Sequence, residues 1–162
     1  MKRVYAPWRS EYLRSDKPST CLFCDLVERE AGIESWVIHK GTHWYVVVNI
    51  YPYTSGHVMV VCNRHLERIA DLSDEENAEL MPLMARTEAA IRSAYNPDGI
   101  NFGANLGKHA GAGIEGHLHI HLVPRWEGDT NFETAIGEVR VISEGLEETY
   151  ERMRTAFGEG QV

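Results

Sequence analysis

The chain holds few of the features that mark membrane, secreted or nucleic-acid-coating proteins. No apolar run approaches the ~18 residues of a membrane span, and the opening MKRVYAPWRSEY has no apolar stretch of the kind a secretory leader uses. The expected compartment is therefore the cytoplasm, with no membrane partner. Cysteine is scarce: three residues in 162 cannot build a disulfide framework. Cys21 and Cys24 form C-x-x-C and Cys62 stands alone, which in a reducing compartment reads as metal or redox chemistry. Basic residues are also in deficit. Sixteen Lys and Arg against 24 Asp and Glu give a net charge of −8, which argues against a nucleic-acid backbone as partner. A small phosphorylated substrate remains compatible, because one local site can be donor-rich inside an acidic protein. Repeats, linkers and low-complexity tracts are absent too. The expectation is one domain over 1–162, with an irregular N-terminal arm (1–20) and a C-terminal helix and tail (143–162).

The apolar fraction of 43% is enough for an ordinary core. Leu22–Ala31 reads as a short helix stopped by Gly32. Trp36–Lys40 and Trp44–Asn49 are rich in β-branched and aromatic residues, with the turn signal Gly41-Thr42 between them, and read as a hairpin. His57–Cys62 is another apolar strand. Ser73 with Glu76 three residues on is a capping box that opens a long helix to about Tyr95. Leu80, Met84, Thr87, Ile91 and Ala94 recur at helical steps, and Pro82 predicts a kink or a shifted start. Ile100–Asn105 and His117–Val123 read as strands, the second stopped by Pro124. A strand near Val139–Ile142 and a helix over about Glu144–Ala156, a solvated face over a few apolar contacts, complete the pattern. The fold class is α+β, a mainly antiparallel sheet with one long helix and shorter ones.

The strongest feature is His117-Leu118-His119-Ile120-His121-Leu122-Val123. Alternate side chains of a strand share a face, so three imidazoles line one side while Leu118, Ile120 and Leu122 enter the core. A lone histidine is ordinarily a satisfied structural residue. Three together are not a packing solution, because each unsatisfied buried ring nitrogen costs about 1–3 kcal/mol. Two chemistries fit: a metal site of neutral imidazoles, or nucleophilic and acid–base work on a phosphoryl group. The preceding Gly107-Lys108-His109-Ala110-Gly111-Ala112-Gly113 lets backbone N–H groups approach a phosphate, although such a loop is also what a plain turn looks like.

With Pro124-Arg125, this strand resembles the signature of the histidine-triad (HIT) superfamily. The likeness extends over Asn49 to Gly56-His57, the VMVV strand, Asn63-Arg64-His65, the long helix and 101–125. Trp126–Phe132 is similar to the branch containing diadenosine tetraphosphate phosphorylases. The resemblance implies that His119 attacks the α-phosphorus of an adenosine polyphosphate to form a nucleotidyl-histidine, which water, phosphate or another acceptor resolves. It implies that His121 contacts the phosphate and handles protons, that Asn49 meets the ribose hydroxyls, and that Asn105 meets a phosphate or bridging oxygen. Many relatives carry Ser or Thr where Gly113 stands, so backbone N–H groups of Gly111 and Gly113 are expected in that role.

Cys21-Leu22-Phe23-Cys24 is half of a zinc knuckle, and Cys62 and His65 are further ligands by residue type. The resemblance implies structural zinc on Cys21, Cys24, His65 and His117, which would leave the chemistry to His119 and His121. The plain alternative is a pair of buried reduced thiols. His39, His43, His57 and His109 receive no role. Trp126 and Glu127–Asp129 read as a solvated turn, and Asn131-Phe132 as a reach toward a neighbouring subunit. The family resemblance implies a two-fold homodimer, with which the aromatics Tyr5, Trp8 and Tyr12 of the arm are compatible. The competing functions are a metallohydrolase whose histidines hold a catalytic metal, and a nucleotide-binding module without turnover.

Overall fold

The β-rich middle of the chain folds into five antiparallel strands: β1 (Val37–Lys40), β2 (Trp44–Val48), β3 (Val58–Cys62), β4 (Gly99–Gly103) and β5 (His119–Arg125). They are hydrogen-bonded in the order β1-β2-β3-β5-β4. The computed structural model describes residues 20–129, 136 and 142–159. Among the described residues three α-helices accompany the sheet: α1 (Leu22–Glu28), α2 (Asp74–Tyr95) and α3 (Leu146–Glu159). No helix among the described residues is long and apolar enough to cross a membrane.

β2 and β3 are buried along their whole length, and this explains why WYVVV and VMVVC are continuous apolar runs rather than alternating ones: both faces of the sheet are covered. On one face Trp44, Val46, Val48, Val58 and Val60 pack with Leu83 and Ile91 of α2 and Met153 and Phe157 of α3. On the other, Phe23 and Leu26 of α1 pack on Tyr45, Val47, Met59 and Val61.

α2 starts where the capping box puts it. Ser73 accepts from the Glu76 N–H while the Glu76 carboxylate accepts from the Ser73 N–H. Pro82 does not shift this start, and the helix continues through it. The carbonyl that loses its donor belongs to Ala78, which like Pro82 is exposed, so water can take the bond. Glu76 is buried and also holds Arg64 in a two-pronged ion pair (2.9 and 2.8 Å), and Arg64 drives its carboxyl down to about 2. The indole N–H of Trp44 donates to the Glu76 carbonyl, fixing helix to sheet.

Two expectations are corrected. β5 does not stop at Pro124 but runs to Arg125. β3 ends opposite Leu122, and the Pro124 carbonyl accepts from Thr54 Oγ1 rather than from β4. N and C=O of one strand residue point the same way, so the missing N–H of Pro124 falls on the side that needs no donor. α3 has the expected solvated face over apolar contacts, and those contacts, Tyr150, Met153, Ala156 and Phe157, belong to the main core. α1 closes at Glu28, one turn short of Ala31. Residues 1–19, Asn131-Phe132 and all but Ile142 of the expected strand at Val139–Ile142 lie outside the described residues.

Candidate active site

The ladder between β3 and β5 sets which side chains share the site. Val61 faces His119 and Met59 faces His121, so both histidines lie on the α1 side of the sheet. His57, two residues before Met59, falls on the same face, and Asn49 lies beside it with its N–H donating to the His57 carbonyl (3.0 Å). His117 stands just ahead of β5 in an extended lead-in. The bend that delivers it needs Gly116, whose φ is +76°.

Hydrogen bonds fix each ring's tautomer. His119 Nδ1–H donates to the His117 carbonyl (2.7 Å), which leaves Nε2 with its lone pair as the group able to attack. The N–H of Tyr53 donates to His57 Nδ1 (3.0 Å), so His57 carries its proton on Nε2 and donates to His121 Nδ1 (3.0 Å). His121 in turn carries its proton on Nε2. The pair thus presents a bare nitrogen next to an N–H donor, their ring centroids 5.0 Å apart. Burial pushes the His119 pKa down, partly offset by the bond to the His117 carbonyl. Burial, then the proximity of His119, takes His121 to about 4, and burial, then His121, takes His57 to about 3. All three are neutral at pH 7, the state a nitrogen nucleophile requires.

α1 reaches into this row. The Phe23 ring lies 4.9 Å from the His119 ring and 5.4 Å from that of His117, and Tyr45 Oη donates to the Phe23 carbonyl. Phe23 sits between the two cysteines of C-x-x-C. Cys21 Sγ lies 3.3 Å and Cys24 Sγ 3.6 Å from His117 Nδ1, and Cys24 Sγ lies 3.2 Å from His65 Nδ1. The four ligand atoms are all within 4.8 Å of one another. A tetrahedral zinc with bonds of about 2.0–2.3 Å needs edges of about 3.3–3.8 Å, so two thiolates and two imidazoles fit here. His117 Nε2–H donates to the Cys62 carbonyl (2.6 Å), turning its Nδ1 lone pair toward the thiols, the orienting bond that ligating histidines use. Cys62 itself, a ligand by residue type, points into the helix-side core and is not in the group. His65 follows Arg64, which Glu76 pins.

The remaining expected residues are placed less simply. Asn105 lines a cleft with His121. Asn49 is 8% exposed, its Oδ1 accepting from the Tyr51 N–H and its Nδ2 lying 3.2 Å from His57 Nδ1. Gly111 has φ +91° and spends its N–H on the Lys108 carbonyl, closing a tight turn, and Gly113 follows two residues later. His39 packs on Phe157, His43 gives its N–H to Glu79, and His109 sits exposed in the turn, all away from the row. Asp129 takes a two-pronged ion pair from Arg125, so the acidic turn is tied down rather than merely solvated. The histidine left without a role, His57, is the one that orients His121. Its signal was parity: His57, Met59 and Val61 share a face, but only the β3–β5 register shows that this is the face of the triad.

Comparison with known proteins points to one family. The family model described as HIT domain matches residues 30–128. An AP-4-A phosphorylase of Mycobacterium tuberculosis is 37% identical, covering 97% of this chain and 85% of that one. A bis(5'-adenosyl)-triphosphatase of Dictyostelium discoideum is 38% identical over 52% of this chain and 56% of its own length. A zinc-bound histidine triad family protein from Mycobacterium smegmatis superposes with a TM-score of 0.68 at 28% identity, covering 86% of this chain and 94% of that one. The chain belongs to the HIT domain family.

Proposed function

We propose that the protein is a nucleotidyl transferase or hydrolase that cleaves adenosine polyphosphates at the α-phosphate, with phosphorolysis of diadenosine tetraphosphate as its reaction. The observation that carries this is the pairing of a bare His119 Nε2 with the His121 Nε2–H, each fixed by a hydrogen bond to the ring's other nitrogen. In the first step His119 Nε2 bonds to the α-phosphorus. The P–O bond to the leaving half breaks, its electron pair stays with that oxygen, which departs as a phosphate anion, and the His121 Nε2–H hydrogen-bonds it without giving up its proton. In the second step phosphate or water displaces the nucleotide, the N–P electron pair returns to His119 Nε2, and any proton the acceptor loses passes to solvent. Asn105 and the backbone at Gly113 are assigned to the phosphate oxygens and Asn49 to the ribose. Asn49 must then rotate out of its bond to Tyr51 when substrate binds. The 37% identity to an AP-4-A phosphorylase over nearly the whole chain supports this choice of substrate.

Zinc on Cys21, Cys24, His65 and His117 is assigned a structural part: it would tie α1 to the sheet and fix His117, whose carbonyl holds His119. With His117 so engaged, the triad offers a catalytic metal only His119 and His121, which disfavours the metallohydrolase. A cytoplasmic homodimer completes the reading. β4 is the outer strand of the sheet among the described residues and carries Phe102 at 70% exposure, a surface suited to such pairing.

The test is incubation with diadenosine tetraphosphate, with and without inorganic phosphate, followed by product separation. ATP plus ADP formed only with phosphate is the expected result. AMP plus ATP without phosphate would make it a hydrolase of the same mechanism. Folded protein that binds nucleotide but yields no product would leave the binding-module reading.

A further inference from the structure

Beyond His121 the site continues into a cleft of about 300 Å³ whose lining includes Tyr53, Asn101, Gly103, Asn105, His121 and Arg125. That is the small end of the range for ligand pockets. Its floor has a simple origin. Gly103 stands directly opposite His121 in the β4–β5 ladder, and a Cβ built there meets nothing within 4 Å. Its φ is not in the left-handed region, so the backbone does not require glycine there. What the glycine provides is space beside the imidazole.

The wall is cationic and rigid. Arg125 lies on the same face of β5 as His121. Its Nε–H and one Nη2–H go to Asp129 (2.5 and 2.8 Å), and one Nη1–H goes to Asn101 Oδ1 (2.9 Å). A guanidinium has five N–H groups, so these three bonds fix its plane and leave one on each Nη. Asn101 spends its carbonyl oxygen on Arg125, so what it retains is an amide donor. Asn105 adds another polar side chain at the rim. In the row of rings, Phe23 closes one end against His119, and His121 at the other end reaches the cleft. A phosphorus attacked by His119 with its leaving oxygen held by the His121 Nε2–H would send its next atoms into this space.

We propose that this cleft is the subsite for the leaving half of the substrate, a polyphosphate-bearing group, with Gly103 as its floor and Arg125 as its anion anchor. The inference rests on the proposed function and adds where selection for a long anionic leaving group resides. The test compares two substrates with the same adenylyl half: diadenosine tetraphosphate, and adenosine 5′-phosphoramidate, whose leaving group is ammonia. The quantity read is the ratio of their kcat/KM values in wild type, Gly103→Val and Arg125→Gln. The valine fills the floor without backbone strain, and the glutamine removes the charge without emptying the wall. The expected result is at least a tenfold fall in the ratio for each variant, with the melting temperature recorded to establish folding. A ratio within twofold of wild type in both variants overturns the inference while the proposed function stands. Wild-type protein that turns over neither substrate overturns both. Should Gly103→Val fail to fold, Arg125→Gln alone decides.

Discussion

The two faces of the sheet use the same strands for opposite purposes. On the side of α2 and α3, Trp44, Ile91 and Met153 are fully buried, and polar groups such as Glu76 and Thr87 are hydrogen-bonded within the protein. On the side of α1 the apolar patch is smaller, and it runs into a row of imidazoles in which His119 and His121 each bond only one ring nitrogen within the protein. One face spends its burial on stability. The other uses burial to keep histidines neutral, and backbone carbonyls and N–H groups to choose which nitrogen stays bare. Side chains one residue apart in β5 and its lead-in, Leu118 and His119 or Ile120 and His121, therefore belong to different problems.

The sharpest way to break that contrast is His119→Ala. Loss of a nucleophile ordinarily costs about 10⁴–10⁶ in kcat, while the melting temperature should move by only a few degrees, because His119 is not part of the helix-side core. A single-turnover assay beside a thermal melt checks both. Metal removal comes next. If zinc ties α1 to the sheet, a chelator should lower the melting midpoint by roughly ten degrees or more, and re-added zinc should restore it. Retention of His119 chemistry in the chelated but still folded protein below that midpoint separates this arrangement from a catalytic metal. The mirror experiment is Met153→Ala on the helix side. It should destabilise by about 2–5 kcal/mol through the cavity it leaves, read as a lower urea midpoint, with kcat for the surviving folded protein close to wild type.

Sequence and structure agree where a short-range period decides the matter. The hairpin at Gly41-Thr42, the capped start of α2 and the alternation of the triad strand are all local, and all stand in the structure. The Cys2His2 group was reached through family resemblance. The chain positions alone could not choose between Cys62 and His117, because that choice depends on which face Cys62 occupies. The same limit hid His57, whose role depends on the register of β3 against β5. Pro124 misled for a related reason: a proline ends a strand only where its N–H would have been needed, and that depends on the neighbour. α3 is legible as a solvated face over apolar contacts, because Tyr150, Met153 and Phe157 stand at steps of three and four beneath its charges.

The mildest perturbation is pH. His57 and His121 have folded-state values of about 3 and about 4, against about 6.5 for an unfolded histidine. Both are depressed, so between those limits the unfolded chain binds more protons than the folded one. Stability is therefore fully present above about pH 6.5 and is lost as pH falls toward 4. From pH 7 to pH 6 each group should cost roughly 0.7 kcal/mol, about half the limiting slope, because the unfolded histidine is only partly titrated there. Urea melts at the two pH values should show the midpoint falling by the corresponding amount with the m-value unchanged. His57→Asn should make the loss smaller by roughly 0.7 kcal/mol, since it deletes one of several depressed imidazoles. A midpoint equal at pH 7 and pH 6 in wild type would mean that these rings are not held neutral by burial. The division of labour between the two faces would then have to rest on the hydrogen bonds alone.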